Sequence, residues 1–225
     1  MATTGTQTVS DICTHALRIA GVSAIDEPVT SEAMDIAIRE LENMLKAWQA
    51  KRYLTWTYTA GSLALTTAAS YTLSPARPYR ILSARFNGGS TEIPMVEMTR
   101  AEYDELPNKT ATGTPTQFHW DKSKETGTFY VWPVLSAASG QTVEFTYERE
   151  LEDIAGPSDV IDVPGEWWDA VAYNLASRMQ IAFKISDQRV DGMAAYALSE
   201  VLADDMEGSV YFTDQSYRAN HVAYN

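Results

Sequence analysis

Apolar positions recur at helical spacing over residues 9–20 and 31–52, alternate with polar ones across much of 53–149, and return to helical spacing after Pro164. In the first segment, "VSDICTHALRIA", Thr8 and Asp11 stand three residues apart as in a capping box, and Gly21 follows as a stop, which predicts a helix over 9–20. The second segment places Met34, Ala37, Ile38, Leu41, Met44, Leu45 and Trp48 on one face. Asp35 and Arg39, and Glu42 and Lys46, stand on the other as opposite charges four residues apart, and a helix over about 31–52 follows. The alternation of "YLTWTYT" and "TVEFTYE" predicts strands, with Leu54, Trp56 and Tyr58 in one and Val143, Phe145 and Tyr147 in the other turned inward. "YRILSARF" before Asn87-Gly88-Gly89, "QFHWD" and "GTFYVWP" add further strands, and "TRAEYDEL" a short helix capped by Thr99 and Glu102. Pro164 opens a third long helix with Trp168, Val171, Ala172, Leu175, Met179 and Ala182 on its stripe. A fourth, over about 187–206, turns Val190, Met193, Ala197, Leu198, Val201 and Leu202 inward.

These periods predict an α+β fold: a four-helix body, two helices from each end of the chain, with an inserted antiparallel β domain and an extended C-terminal tail. The expected division is 1–52 with 157–207 as the helical bundle, 53–156 as the β insertion, and 208–225 as a docking tail. The tail, "GSVYFTDQSYRANHVAYN", keeps neither period beyond the short strand-like "SVYFT", yet carries Tyr211, Phe212, Tyr217 and Tyr224. Aromatic area is stabilising only when it is covered, and rigid rings and Arg218 are residue types that anchor interfaces. The tail therefore calls for a receiver.

Composition adds two restrictions. The chain of 225 residues is 45 % hydrophobic and 21 % charged, enough apolar content for a real core, and no apolar run approaches a membrane span. The N-terminus lacks the pattern of a secretory signal, which predicts a protein acting where it is made. The net charge of −13 is uneven: residues 150–225 hold 14 acids against 4 bases, while 1–52 hold 7 against 5 and 53–149 hold 9 against 8. An acidic third opposes tight binding of nucleic acid but suits a wall past which DNA slides. Asp204, Asp205 and Glu207 are the candidates for lining such a channel; as a cation site the same cluster is weaker than as solvated surface.

Catalytic signatures are absent from the sequence: it contains no glycine-rich phosphate loop, no GxGxxG, no HExxH and no paired CxxC, and His15, His119 and His221 lack metal-ligand spacing. No metal, cofactor or catalytic residue is predicted, and no enzyme activity. Cys13 lies on an amphipathic segment and reads as a small buried residue. Of the adjacent Trp167 and Trp168, which point about a hundred degrees apart on a helix, one can enter the core while the other covers the β insertion or a neighbouring subunit; plain core packing of both is the alternative. Trp56, Trp120 and Trp132 read as core, with a sugar-binding platform as the competing assignment.

The stretches "TVSDICTHALRIAGV" and "EPVTSEAMDIAIRELENMLKAWQA", with "GTPTQFHWD", "TGTFYVWPVLSAASGQTVEFTYERE" and "VIDVPGEWWDAVAYNLASRMQIAF", resemble the head-to-tail adaptors of short-tailed bacteriophages, also described as tail accessory, head completion or tail tubular proteins. The resemblance covers about 8–206. It implies a structural virion protein at the head-tail junction: a ring of identical subunits, a dodecamer by analogy with twelvefold portals, that sits under the portal protein. Such a ring extends the channel for double-stranded DNA without binding it specifically, and presents a platform for a tail or nozzle protein. In that setting Tyr211, Phe212, Tyr217, Arg218 and Tyr224 become portal-binding candidates. Another tail component, such as a tube, stopper or receptor-binding protein, is the alternative, with a hydrolase or carbohydrate-binding module behind it.

Overall fold

The computed structural model describes residues 6–73, 77–124 and 126–204. Helix α1 (Val9–Ile19) begins at a capping box: Asp11 N–H donates to Thr8 Oγ1 (3.2 Å) and Thr8 N–H donates to Asp11 Oδ2 (3.0 Å). This satisfies two donors that a helix start otherwise leaves open. Gly21, at φ +76°, takes the chain out through the left-handed region that glycine tolerates best. Helix α2 (Ser31–Ala50) is capped by Thr30 and buries Ala37, Leu41, Met44, Leu45 and Trp48 along one stripe. With α4 (Trp168–Phe183) and α5 (Gln188–Asp204) these helices form one apolar core in which Leu17, Leu41, Met44, Leu175 and Met179 are fully enclosed. Each such side chain contributes about 1.5–3 kcal/mol of burial.

The β region is one seven-stranded sheet: β1 (Tyr58–Ala64), β2 (Ser70–Tyr71), β3 (Arg80–Asn87), β4 (Glu92–Glu97), β5 (Gln117–Asp121), β6 (Thr128–Trp132) and β7 (Thr142–Glu148), in the order β1-β7-β3-β4-β5-β6-β2. All pairs are antiparallel except β4 with β5. Between those two strands runs the helix α3 (Arg100–Glu105), capped reciprocally by Thr99 and Glu102 as its sequence predicts. The crossover it makes is what allows parallel pairing. Phe86, Phe118, Phe129, Val143, Phe145 and Tyr147 make a second apolar core on this sheet.

The expectation of a four-helix body with a small inserted antiparallel β domain is therefore corrected. Among the described residues the fold is α+β with five α-helices, and its β part is a large mixed sheet. Which strand lies beside which is set by contacts far apart in sequence, such as β1 against β7 and β7 against β3, and local periodicity carries no record of them. A further correction concerns residues 53–59. The alternation there is not a strand: Thr55–Thr57 form a 3₁₀ turn, Leu54 and Trp56 join the helical core, and the strand starts at Tyr58, whose ring is substantially exposed.

The two cores meet where β7 runs out of the sheet. Gln49 Nε2 on α2 donates to the Arg149 carbonyl (2.7 Å), Trp56 Nε1 donates to the Asp162 carbonyl (3.2 Å), and the Arg149 guanidinium grips both Asp162 oxygens (2.5 and 2.7 Å). A fork-to-fork pair of this kind fixes orientation as well as distance.

Candidate functional site

The sequence directs attention first to the C-terminal end. Asp204 is the last residue of α5. Asp205, Glu207, Tyr211, Phe212, Tyr217, Arg218 and Tyr224 lie outside the described residues, as does His221. What the structure supplies is the platform from which that segment departs. Asn174 on α4 donates through Nδ2 to the carbonyls of Ala170 (2.8 Å) and Ala194 (2.9 Å), and Ser177 donates to Asp191 (2.6 Å), so α5 is pinned along α4. Between them the chain turns at Lys184, φ +56°, and Gln180 Oε1 accepts from Asp187 N–H (2.6 Å). Hydrogen bonds from Arg189 hold the Asp187 carboxyl below its ordinary value.

On α5 the expected stripe holds at Val190, Ala197, Leu198, Val201 and Leu202, which pack in or against the helical core, and fails at Met193. Val190, Ala194 and Ala197 are buried, whereas Met193 and Tyr196 stand exposed. Small side chains at 194 and 197 let the two helices approach, and the larger Met193 falls on the outer face. Ile181 (82 % exposed) at the end of α4 and Ile185 just beyond it are exposed as well, as is Ala182, expected on the inner stripe.

The acidic excess of the last third gathers at a second place. The loop from Leu151 to Asp162 folds against α2 and encloses a pocket of about 250 Å³, with Leu45, Leu151 and Ile161 as apolar lining and Glu42, Asp153 and Asp159 among its acids. Lys46 is the cation there: it bonds Glu42 and, at 2.9 Å, Asp153, and both carboxylates raise its pKa. The loop is itself braced by Asp159, which accepts from Ala155 N–H (2.7 Å) and Gly156 N–H (2.9 Å).

At the junction of the cores lies a group the alternation misassigned. Glu148 falls on the polar side of "TVEFTYE", yet its side chain is fully buried. Arg80 Nε stands 2.8 Å from Oε2, but neither oxygen accepts a well-aligned hydrogen bond among the described residues. Burial raises the Glu148 pKa, with Arg80 the largest opposing influence. The strand end is buried because the helical core begins there, and no pattern inside the strand signals it.

The remaining candidates separate. His15 is exposed on α1, whereas His119 is buried with Nδ1 against the Met98 carbonyl (2.9 Å) and its ring stacked with Tyr103 and Tyr130. Among the described residues no cluster of three or more His, Cys, Asp or Glu is placed to hold a metal. Cys13 is buried, and burial pushes its thiol up to about 12. Trp167 enters the helical core against Trp48 and Trp56, with ring centroids 5.8 and 4.9 Å apart, while Trp168 is half-buried and donates to the Val163 carbonyl (3.3 Å). Trp56 thus belongs to the helical core and Trp120 to the sheet core. Among the described residues no helix is long and apolar enough to cross a membrane.

The sheet has one further feature, legible in the sequence as an absence of charge. Its outer strands are β1 and β2. The two-residue β2 offers almost nothing to pair with, but β1 runs for seven residues, "YTAGSLA", without a charge or a proline. A family model described as SU10 adaptor protein matches residues 7–220 of the chain. Comparison with curated proteins gave no match.

Proposed function

The chain belongs to the SU10 adaptor protein family, a phage head-to-tail adaptor family, and on that footing we propose that it is a structural component of a short-tailed virion, assembled as a ring beneath the portal. The match over 7–220 is the observation that carries the reading, because it spans both cores and most of the C-terminal segment. In the proposed role the ring, a dodecamer if it follows a twelvefold portal, extends the DNA channel and presents a platform to the tail protein below. The work is mechanical: connect, seal and let duplex DNA through.

Charge supports the conduit. With 14 acids against 4 bases in residues 150–225, the protein repels a passing polyanion over that third of its length. Asp204, Asp205 and Glu207 remain the proposed channel-facing group, and Tyr211, Phe212, Tyr217, Arg218 and Tyr224 the proposed portal anchors. Four rings at a few kcal/mol each offset only part of the roughly 20 kcal/mol that ordering eighteen residues costs, so repetition around a ring and backbone pairing must contribute.

Deletion of residues 208–225 tests the anchor directly. The shortened chain is expected to keep its folded body and to lose stable attachment to portal-bearing heads, read by co-sedimentation. Attachment at unchanged affinity would contradict the assignment of these residues to the portal.

A further inference from the structure

The open edge of β1 has a defined hydrogen-bonding face. Arg149 N–H donates to the Thr57 carbonyl (3.0 Å) and Leu65 N–H to the Gln141 carbonyl (2.9 Å), just beyond the two ends of the β1–β7 ladder. In an antiparallel pair the residues that exchange bonds alternate with those that do not. With 57 and 65 bonded toward the β7 side, Thr59, Gly61 and Leu63 bond to β7 too, and Ala60, Ser62 and Ala64 present N–H and C=O outward, while the Tyr58 N–H turns back to the Thr55 carbonyl. Ala60, Ser62 and Ala64 are all exposed. Among the described residues no backbone hydrogen bond is made to the outward groups of Ala60, Ser62 and Ala64.

Such an edge is a template for another strand, and proteins ordinarily guard it with Lys, Pro, a bulge or brevity. The opposite edge of this sheet is guarded by brevity, since β2 has two residues. β1 carries none of these protections. Its inner face is also incomplete. The buried row Val143, Phe145 and Tyr147 on β7 continues into Leu63, Gly61 and Thr59 on β1, where the side chains are only half-buried. Gly61 is required here, because a Cβ would meet the Phe145 ring at 2.6 Å. A strand added outside β1 would extend this row.

The chain itself holds a segment of matching chemistry. Ser209–Thr213, "SVYFT", is uncharged, free of proline and rich in aromatic and β-branched residues, and is bounded by Gly208 and Asp214. Four residues separate it from Asp204. We propose that the free edge of β1 takes Ser209–Thr213 of a neighbouring copy as an eighth strand. Val210 and Phe212 then share one face, positioned to cover Leu63 and Thr59, and Tyr211 takes the other. Because the donor segment and the acceptor edge are different surfaces, the contact is head-to-tail, the kind that closes rings. Tyr211 and Phe212 thereby pass from the portal-anchor group to the neighbouring copy, and residues 214–225, with Tyr217, Arg218 and Tyr224, stay available for the portal. The inference rests on the reading that copies assemble side by side.

Proline supplies the test, since at positions 60 and 62 it removes outward N–H groups, together with the bond from the Ser62 hydroxyl to Glu144, and leaves the backbone ladder with β7 intact. Full-length chain, the double variant A60P/S62P and the double variant V210P/F212P are each assembled on portal-bearing heads. Ring occupancy is read by mass, and amide exchange is read at residue resolution. Exchange at Ala60, Ser62 and Ala64 of the unaltered chain should slow at least about tenfold on assembly, and each proline pair should lower occupancy by about tenfold or more. The pair at 210 and 212 keeps the test decisive if the pair at 60 and 62 disturbs the sheet. Rings that form equally well with V210P/F212P, or edge amides left unprotected in assembled rings, overturn this inference alone. Edge amides already protected in the dilute single chain overturn it in favour of pairing within one copy. Failure of the unaltered chain to form a ring removes both the ring reading and this inference.

Discussion

Glu148 shows what a single residue decides in this fold. A fully enclosed carboxylate costs free energy, and the charge that stands against it is Arg80, at 2.8 Å, itself only partly exposed. Burial outweighs that attraction, since the pKa is raised, so the neutral form is favoured by folding. A raised carboxyl contributes stability that is present at low pH and lost as pH rises through its folded value. Replacing Arg80 by Met should cost about 3–5 kcal/mol at pH 7, because it strands the charge, and the loss should shrink as pH falls into the carboxylate range. Adding E148Q to that variant should recover most of the loss, and thermal melts of the three proteins across pH check both statements. Nothing local distinguishes Glu148 from Glu144, which stands two turns of the alternation earlier and bonds to Ser62. The difference is tertiary, and for that reason it was not legible in the sequence.

Among elements, legibility followed how local the determining contact is. The caps at Thr8 and Thr99 were readable because donor and acceptor lie three residues apart, and both form as expected. The stripe of α2 was readable because seven apolar residues, six of them large, repeat at helical spacing. The stripe of α5 misled at Met193: size suggested an inward position, but close approach to α4 selects the small Ala194, whose carbonyl accepts from Asn174. Enlarging the buried alanine should therefore matter more than truncating the exposed methionine. A194L is expected to destabilise by about 1–3 kcal/mol through forced separation of the helices, and M193A by less than about 0.5 kcal/mol, in chemical denaturation. Equal effects would mean that α5 packs through its other face. Strand order had no such local signature. The parallel step between β4 and β5 depends on a crossover through α3 whose direction the residues do not announce.

At the scale of the whole molecule, charge and assembly carry the account. A net charge of −13 leaves little to grip phosphates, so the purified chain is expected to show no binding of duplex DNA at low-micromolar concentration and physiological salt, by fluorescence anisotropy. Tight, salt-sensitive binding would argue against a passive conduit. The acidic concentration in the last third was legible from counting alone; its gathering in the loop from 151 to 162 against α2 was not, because a loop's resting place is set by the pairings of Lys46 and Arg149 with residues distant in sequence. The proposed ring is tested most directly by measuring the mass of the full chain alone and then with purified portal. A single subunit, or a loose association, is expected in the first case and a closed ring in the second, with a stoichiometry matching the portal's. A chain that polymerises by itself, or that leaves the mass of the portal unchanged, would contradict it.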